Sequence, residues 1–129
     1  KEWFKENVRN NDLHNLLFLN KRLIGYTLLR LRKIKNLKNL YFLLDTIIIK
    51  KELRKKKYGE LLMKFNNHII NKNNKLGFLV CKKKEVKFYK KFKWKTLNKN
   101  RFKSDNTKKI SYGMIFNNKL KKNFYNFSQ

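Results

Sequence analysis

The sequence predicts an α/β or α+β domain built on a mixed β-sheet. Two observations carry this prediction. Apolar runs of strand length recur along the chain, and two of them, Leu40–Ile49 and Leu76–Cys81, enclose a segment whose apolar residues have helical spacing. A strand, a helix and a strand in this order form a parallel pair with a right-handed crossover. With 129 residues and no linker rich in Gly, Ser or Pro, the chain fits one domain over residues 1–129.

The first elements are a helix and a hairpin. Residues 1–11 place their apolar side chains on one helical face, which predicts a short helix. Residues 13–20 and 23–34 are extended apolar runs, and the polar residues 20–22 between them predict a turn. Gly25 falls inside the second run, where an isolated glycine indicates a β-bulge.

The middle of the chain supplies the parallel unit. Leu40–Ile49 ends in three isoleucines, a β-branched run typical of a strand covered on both faces. The charged residues 50–57 predict a loop, and residues 58–71 predict an amphipathic helix because their apolar residues fall at helical spacing. Leu76–Cys81 then predicts the second buried strand.

The last third is less regular. Residues 84–92 predict a helix, and residues 94–97 and 110–116 predict two strands joined by a polar connection over residues 98–109. The tail from residue 117 is basic and aromatic, and its pattern predicts no element.

The charge is strongly positive, with 35 Lys and Arg against 8 Asp and Glu and a formal net charge of +27. Such a charge is typical of nucleic-acid binders. However, the chain is rich in Lys, Asn and Ile and contains no Pro, which indicates drift towards residues with AT-rich codons. The charge will attract polyanions either way, but drift makes it weak evidence that a nucleic acid is the primary partner.

Several site classes are excluded or disfavoured. Cys81 is the only cysteine, so neither an intramolecular disulfide nor a cysteine-based zinc site can form, and His14 and His68 lack ligand spacing. We therefore expect no metal. No apolar run is long enough to span a bilayer, so we expect no membrane partner and a cytoplasmic setting. Cys81 itself has the character of a small buried hydrophobe.

Residues 45–63 form the most informative stretch, because a buried strand runs through a basic loop into a helix. Exposed N–H groups at such a helix start attract anions, and the basic residues 54–57 add positive charge. This is a phosphate-binding arrangement on physical grounds. Neither the Walker A pattern nor the dinucleotide fingerprint is present.

The same stretch resembles the GNAT superfamily of N-acetyltransferases. That family carries Gln or Arg, two residues, Gly, one residue, then Gly or Ala at this helix start, and Arg54 and Gly59 match while Lys57 replaces the first glycine. A second block, residues 77–94, is similar to the family's strand and its Phe-Tyr helix ending, with Tyr89 in place and Lys93 where glycine is usual.

The resemblance covers roughly residues 23–117 and implies a mostly antiparallel central sheet, with the family's N-terminal strand and helix short or missing. It implies acetyl-CoA as co-substrate, held along the strand end and the following loop. The implied cofactor-binding residues are Ile47, Ile48, Ile49, Arg54, Lys55, Lys56, Lys57, Tyr58, Gly59 and Glu60.

Two residues take catalytic roles by resemblance. Tyr89 is the general acid that protonates the departing CoA thiolate, and its alternative is a packed helix aromatic. Asp45 takes a proton from the acceptor amine, and its alternative is a strand carboxylate paired with a basic residue. By the period of two, Asp45, Ile47 and Ile49 are expected on one face of their strand. His14 is a lesser candidate base.

The function implied is transfer of an acetyl group to a primary amine of an unidentified small-molecule or peptide acceptor, by direct attack. Whether the chain forms a homodimer is left open. The alternative is a catalytically degenerate GNAT-like module that binds RNA or another polyanion, and the replaced glycines at Lys57 and Lys93 favour it. The matches at Arg54, Gly59 and Tyr89 favour the enzyme.

Overall fold

The structure, a computed structural model, describes residues 11–105 and 111–128. The helix predicted over residues 1–11 therefore lies outside the described residues except for Asn11. The described strands are β1 (Leu13–Leu19), β2 (Arg22–Lys33), β3 (Leu40–Ile49), β4 (Leu76–Cys81), β5 (Lys95–Leu97), β6 (Phe102–Lys103), β7 (Tyr112–Phe116) and β8 (Tyr125–Asn126). The described helices are α1 (Tyr58–Lys72) and α2 (Lys83–Lys90), and short 3-10 turns occupy Lys51–Leu53 and Lys99–Arg101.

The described strands form a six-stranded sheet in the order β1-β2-β3-β4-β7-β5 and a separate two-stranded pair of β6 and β8. In the larger sheet only β3 and β4 run parallel, and α1 connects them as the predicted crossover helix. The other pairings are antiparallel. The predicted fold class, a mixed and mostly antiparallel sheet with one parallel strand–helix–strand unit, is confirmed.

The β1–β2 hairpin turns at Asn20 and Lys21, whose φ values of 51° and 65° give the left-handed backbone that tight hairpins need. Leu17 pairs with Gly25 and Phe18 pairs with Leu23, so the extra residue of the β2 bulge lies directly before Gly25. The bulge predicted at Gly25 is thus present, displaced by one position.

One face of the sheet carries both helices. We call the buried cluster on this side the helical-face core. It consists of Leu29, Phe42, Leu44, Met63, Ile70, Leu79, Cys81, Tyr89, Phe92, Trp94, Met114 and Phe116. Trp94 is anchored there by a hydrogen bond from its Nε1 to Asn67 Oδ1 of α1 at 2.8 Å. Met63 and Ile70 of α1 belong to this core and Ile69 packs against it, so hydrophobic burial fixes the helix against the sheet. Leu61 and Phe65, which the spacing placed on the apolar face, are instead 51% and 49% exposed, so the buried face of α1 is rotated from the expected one.

The opposite face is covered by the C-terminal part of the chain. The tail-face core consists of Ile34, Tyr41, Leu43, Leu76, Phe78, Leu97, Phe102, Ile115, Tyr125 and Phe127. The Phe127 ring stacks on Phe78 with 3.9 Å between ring centroids, and the Tyr41 hydroxyl donates to the Phe127 carbonyl at 3.0 Å. β6 and β8, which have two residues each, were not predicted because so short a segment has no periodicity to detect.

Close packing requires two of the glycines. An added Cβ at Gly113 would lie 2.5 Å from Phe102 Cζ, and one at Gly77 would lie 2.9 Å from Trp94 Cη2. Neither distance is tolerated without movement of a buried ring. No described glycine has a positive φ, whereas nine described residues of other types do.

A buried amide links the first hairpin to α1. Asn66 is fully buried and donates from Nδ2 to Thr27 Oγ1 at 2.9 Å and to the Leu62 carbonyl at 2.7 Å. Its Oδ1 accepts from Asn15 Nδ2 at 2.8 Å. Because each polar group has a partner, this network fixes how α1 sits on β1 and β2 without the cost of an unsatisfied buried group.

A buried ion pair joins the start of β1 to β2. Arg32 Nη1 lies 2.6 Å from Asp12 Oδ1, and the two side chains are 3% and 0% exposed. The Leu31 amide also donates to Asp12 Oδ1 at 3.2 Å. In the ranges that the structure describes, no helix is long and apolar enough to cross a membrane.

Candidate active site

The two parallel strands diverge towards their carboxyl ends. β3 and β4 pair only where Tyr41 to Leu43 of β3 meet Leu76 to Phe78 of β4, although β3 continues to Ile49 and β4 to Cys81. Beyond the last pair, the facing backbone N–H and C=O groups have no partner in the other strand. Such a gap exposes hydrogen-bonding groups that an extended, amide-containing ligand can pair with.

A bulge in β3 lies where the gap opens. Leu28 pairs with Thr46 and Leu29 pairs with Leu44, so Asp45 is the extra residue. A bulge bends the strand that carries it and increases the local twist. This explains why β3 leaves β4 shortly after Leu43.

The bulge also shifts which side chains of β3 point to which face. The expectation that Asp45, Ile47 and Ile49 share one face is therefore wrong. Asp45 Oδ2 accepts a hydrogen bond from Arg30 Nε at 2.8 Å. The neighbours of Arg30 in β2, Leu29 and Leu31, pack on the helical-face core, and successive side chains of a strand point to opposite faces. Arg30 and Asp45 therefore lie on the opposite face. Ile47 packs against the helical-face core. The role predicted for Asp45 stays a prediction.

A groove of about 470 Å³ lies at the mouth of the gap. It is lined by Ile47, Ile48, Ile49, Arg54, Gly59, Lys84, Glu85, Phe88 and Tyr89. The structure thus brings Tyr89 together with five of the ten predicted cofactor-binding residues. The other five, Lys55, Lys56, Lys57, Tyr58 and Glu60, belong to the adjoining loop and the first turn of α1, outside the lining. Asp45 is not part of the lining either.

The loop before α1 has an unusual backbone. Lys55 and Lys57 adopt the left-handed conformation with φ values of 70° and 67°. Lys57 is the N-cap residue of α1, and in the described chain no side chain caps the helix start. The first amides of a helix have no intrahelical acceptor, so those of α1 are available to an anion. Arg54 Nε donates to the Ile49 carbonyl at 3.1 Å, which ties the loop to the end of β3.

Tyr89 projects from α2 between the groove and the helical-face core. Its side chain is 8% exposed, and burial, with smaller contributions from Glu85 and Cys81, raises the pKa of its phenol above the ordinary value. The hydroxyl therefore keeps its proton at physiological pH. In this state Tyr89 can donate a hydrogen bond or a proton, and cannot act as a base.

Lys93 follows α2 and has a φ of 70°. Lys57 and Lys93 are the two positions where the GNAT pattern has glycine. Both have the left-handed backbone that glycine adopts readily.

Three residues of the groove lining were not among the predicted site residues. They are Lys84, Glu85 and Phe88. Glu85 accepts from the Lys82 backbone amide at 2.9 Å, as an N-terminal capping residue of α2 does. Phe88 contacts the rings of Tyr89 and Phe92. The available signal was the helical spacing from Glu85 to Phe88 and Tyr89, which puts the first turns of α2 beside the gap.

The face that carries Asp45 has a second polar pair. His14 Nδ1 and the Tyr26 hydroxyl are hydrogen-bonded at 2.8 Å. Burial raises the pKa of Tyr26, with opposing effects from nearby charges. His14, the lesser candidate base, is thus placed on β1, away from the lining of the groove.

No protein-family model and no curated protein matches the chain. Solved structures do resemble it. The ribosomal-protein-S18-alanine N-acetyltransferase from Escherichia coli superposes with a TM-score of 0.69 at 12% identity, over 89% of this chain and 74% of that one. Bacillus subtilis YlbP in complex with coenzyme A gives 0.63 at 15%, over 89% and 76%. An acetyltransferase of the GNAT family from Streptococcus pneumoniae gives 0.62 at 19%, over 87% and 70%.

The chain has the GNAT fold. The likeness predicted from Arg54, Gly59 and Tyr89 is thereby confirmed for the fold. Within the GNAT fold of this chain, the diverging strands, the uncapped start of α1 and Tyr89 surround one groove. Among the described residues, no group of three or more His, Cys, Asp or Glu could hold a metal ion.

Proposed function

We propose that this protein is an acetyl-CoA-dependent N-acetyltransferase, which transfers the acetyl group to a primary amine of a small-molecule or peptide acceptor. The observation that carries the proposal is the groove at the β3–β4 gap. It places a protonated tyrosine, Tyr89, beside a strand end and an anion-binding helix start. These are the parts that a thioester with a long amide-containing arm and a pyrophosphate requires.

The cofactor fits the residues present. The pyrophosphate lies at the start of α1, where the loop amides of residues 55–59 and the positive side chains around them stabilise it. The amides of the pantetheine arm pair with the β3 edge at Ile47 to Ile49, which β4 leaves open. An added Cβ at Gly59 would make only an ordinary contact of 3.6 Å with the Phe88 ring, so protein packing does not require glycine at this position of the groove lining.

The reaction is direct attack. The neutral amine nitrogen of the acceptor attacks the thioester carbonyl, the C–S bond breaks, and CoA leaves as a thiolate. Tyr89 donates its proton to that sulfur and is reprotonated from solvent. Asp45, held by Arg30, receives the proton that the amine loses, through water. Desolvation in the groove strengthens each of these interactions.

Calorimetric titration with acetyl-CoA, at low salt and again near-molar salt, tests the proposal, with ATP as a polyanion control. We expect saturable acetyl-CoA binding that survives salt and exceeds ATP binding. Release of CoA in the presence of an acceptor amine then demonstrates turnover.

The alternative is a GNAT-fold module that binds RNA or another polyanion. Its support is the loop itself, where Lys55, Lys56 and Lys57 are all exposed. Non-specific polyanion binding falls steeply with salt because bound counterions are released. Binding that ATP matches and that high salt abolishes would therefore favour this alternative and contradict the enzyme.

A further inference from the structure

A second cavity adjoins the groove at the same edge of the sheet. It has a volume of about 800 Å³ and is lined by Lys82, Lys83, Lys84, Thr96, Leu97, Asn98, Lys99, Ser111 and Tyr112. We call it the lysine cavity. Its walls are the end of β4 with the start of α2, the end of β5, and the start of β7. The size falls in the range of sites that enclose a small molecule or a few peptide residues.

The lysine cavity and the groove share a wall. Lys84 lines both of them. Tyr89, five residues further along α2, lines the groove together with Lys84. A molecule seated in the lysine cavity can therefore extend a short arm past Lys84 to the proposed proton donor.

The lining has one sign of charge. Four lysines contribute to it, and no carboxylate does so among the described residues. The nearest acidic residue in the sequence of α2, Glu85, lines the groove instead and accepts from the Lys82 amide. Thr96, Asn98 and Tyr112 add hydrogen-bonding groups, and buried Leu97 supplies an apolar contact. A concave site with one sign of charge concentrates its field and attracts ligands of the opposite sign.

We propose that the lysine cavity is the acceptor site and that the acceptor is an anionic amine, a primary amine that carries a phosphate or carboxylate group. The anion binds the lysines, and the amine reaches the thioester in the groove. This inference rests on the proposed function, because it assigns the groove to acetyl-CoA and leaves the adjoining cavity for the second substrate. A polycationic acceptor is disfavoured by the same charges.

Matched probes test the charge preference on protein saturated with CoA. Phosphoethanolamine is compared with ethanolamine, and the tripeptide Ala-Glu-Glu is compared with Ala-Gln-Gln, by calorimetry at physiological salt. We expect the anionic member of at least one pair to bind about tenfold more tightly, as two lysine–anion contacts of modest strength would give. The pair that shows the preference identifies the source of the anion, a small molecule or a peptide.

Charge-matched variants test the location. Lys83→Glu with Lys99→Glu should abolish the preference, and the milder pair Lys83→Gln with Lys99→Gln should reduce it. The control is Lys64→Glu with Lys72→Glu on exposed positions of α1, which changes the net charge equally but lies outside both linings. The control should retain the preference.

Equal binding of charged and neutral probes, or no binding of any probe, would overturn the inference while leaving acetyl-CoA binding to support the enzyme. Equal loss in the cavity variant and the α1 control would assign the preference to the overall charge and overturn the site. Absence of CoA binding in the first place would contradict the proposed function itself.

Discussion

Lys57 and Lys93 both hold the left-handed backbone at positions where the GNAT pattern carries glycine. For residues with a Cβ this conformation costs roughly 1–2 kcal/mol relative to ordinary backbone. Glycine removes that strain but increases the entropy of the unfolded chain. The balance favours glycine at both positions, since the strain is the larger effect.

Substitution by glycine should therefore stabilise the protein. We expect Lys57→Gly and Lys93→Gly each to raise the free energy of unfolding by about 0.5–1 kcal/mol, measured by urea denaturation. Lys64→Gly, inside α1 with ordinary helical backbone, is the matched control and should lower it by about 1 kcal/mol. Destabilisation at all three positions would show that the left-handed backbone carries no strain here.

Tyr89→Phe removes the proposed acid and keeps the packed ring. We expect kcat to fall about 10²- to 10⁴-fold, the range for general acid catalysis, while the Kd for acetyl-CoA stays unchanged. Tyr41→Phe is the control, because its buried hydroxyl donates to the Phe127 carbonyl and Tyr41 lies outside the groove lining. That variant should lose about 1 kcal/mol of stability and keep its kcat. An active Tyr89→Phe protein would assign Tyr89 to packing.

The Cys81 thiol should be nearly inert in the native protein. Burial, with a smaller effect of Glu85, raises the pKa of Cys81 from 9.0 to about 11. Two pKa units leave roughly a hundredfold less thiolate near neutral pH, so iodoacetamide should modify the folded protein far more slowly than the urea-unfolded protein. Comparable rates in the two states would contradict the burial of this thiol.

The same shift has a consequence for stability. Between pH 9 and about 11 the folded thiol keeps its proton while the unfolded thiol loses it. The folded state then binds more protons, so stability is fully present below pH 9 and falls as the pH rises through this window. The raised pKa values of Tyr26 and Tyr89 act in the same direction at higher pH.

At the scale of elements, the bulge in β3 decides what Asp45 can do. It opens the gap in which the groove lies and turns Asp45 towards Arg30, on the face opposite the helices. Asp45 lines neither the groove nor the lysine cavity, so a proton from an amine in the groove reaches the carboxylate only through water.

Asp45→Asn tests whether the carboxylate takes that proton. We expect kcat to fall about 10²- to 10⁴-fold with the Kd for acetyl-CoA intact, as loss of a general base would give. Arg30→Gln is the matched control, because it breaks the same ion pair and leaves the carboxylate in place. Arg30→Gln should lower kcat less than Asp45→Asn does, because the carboxylate that takes the proton remains. Unchanged turnover in Asp45→Asn would remove Asp45 as the base.

The sequence predicts elements well where side-chain pattern alone decides them. β3 and β4 have the predicted bounds, since each is an apolar run ended by polar residues. The parallel unit around α1 was also predicted correctly. At its open end, Ile47, Arg54 and Tyr89 line one groove. The Asp45 bulge was missed, since a bulge is set by pairing between strands and changes neither composition nor length. The lysine cavity was also missed, because it depends on three separated segments meeting in space.

At the scale of the whole molecule, the C-terminal tail closes the second face of the sheet. Tyr125 and Phe127 are 0% and 2% exposed, so the segment that predicted no element is part of a core. Its packing rests on aromatic rings rather than on long strands, since β8 has only two residues. The tail is therefore a structural element of this domain and not an appendage.

Phe127→Ala should destabilise the protein by about 3–5 kcal/mol, the usual cost of a large cavity in a core, as measured by urea or thermal unfolding. Phe124→Ala is the control in the same tail, because Phe124 is 40% exposed and should lose far less. A cost below about 1 kcal/mol for Phe127→Ala would mean that the tail leaves the sheet at little expense.

A glycine can be required for two different structural reasons, lack of space for a side chain or a left-handed backbone. At Gly77 and Gly113 a methyl group has no space, and glycine is present. At Lys57 and Lys93 only a torsion angle is required, and lysine supplies it at modest cost. A comparison that scores residue identity penalises both lysines heavily, whereas a comparison of backbones is indifferent to them. A sequence search for related chains should therefore accept, at these two positions, any residue that can adopt a left-handed backbone, and should not require glycine.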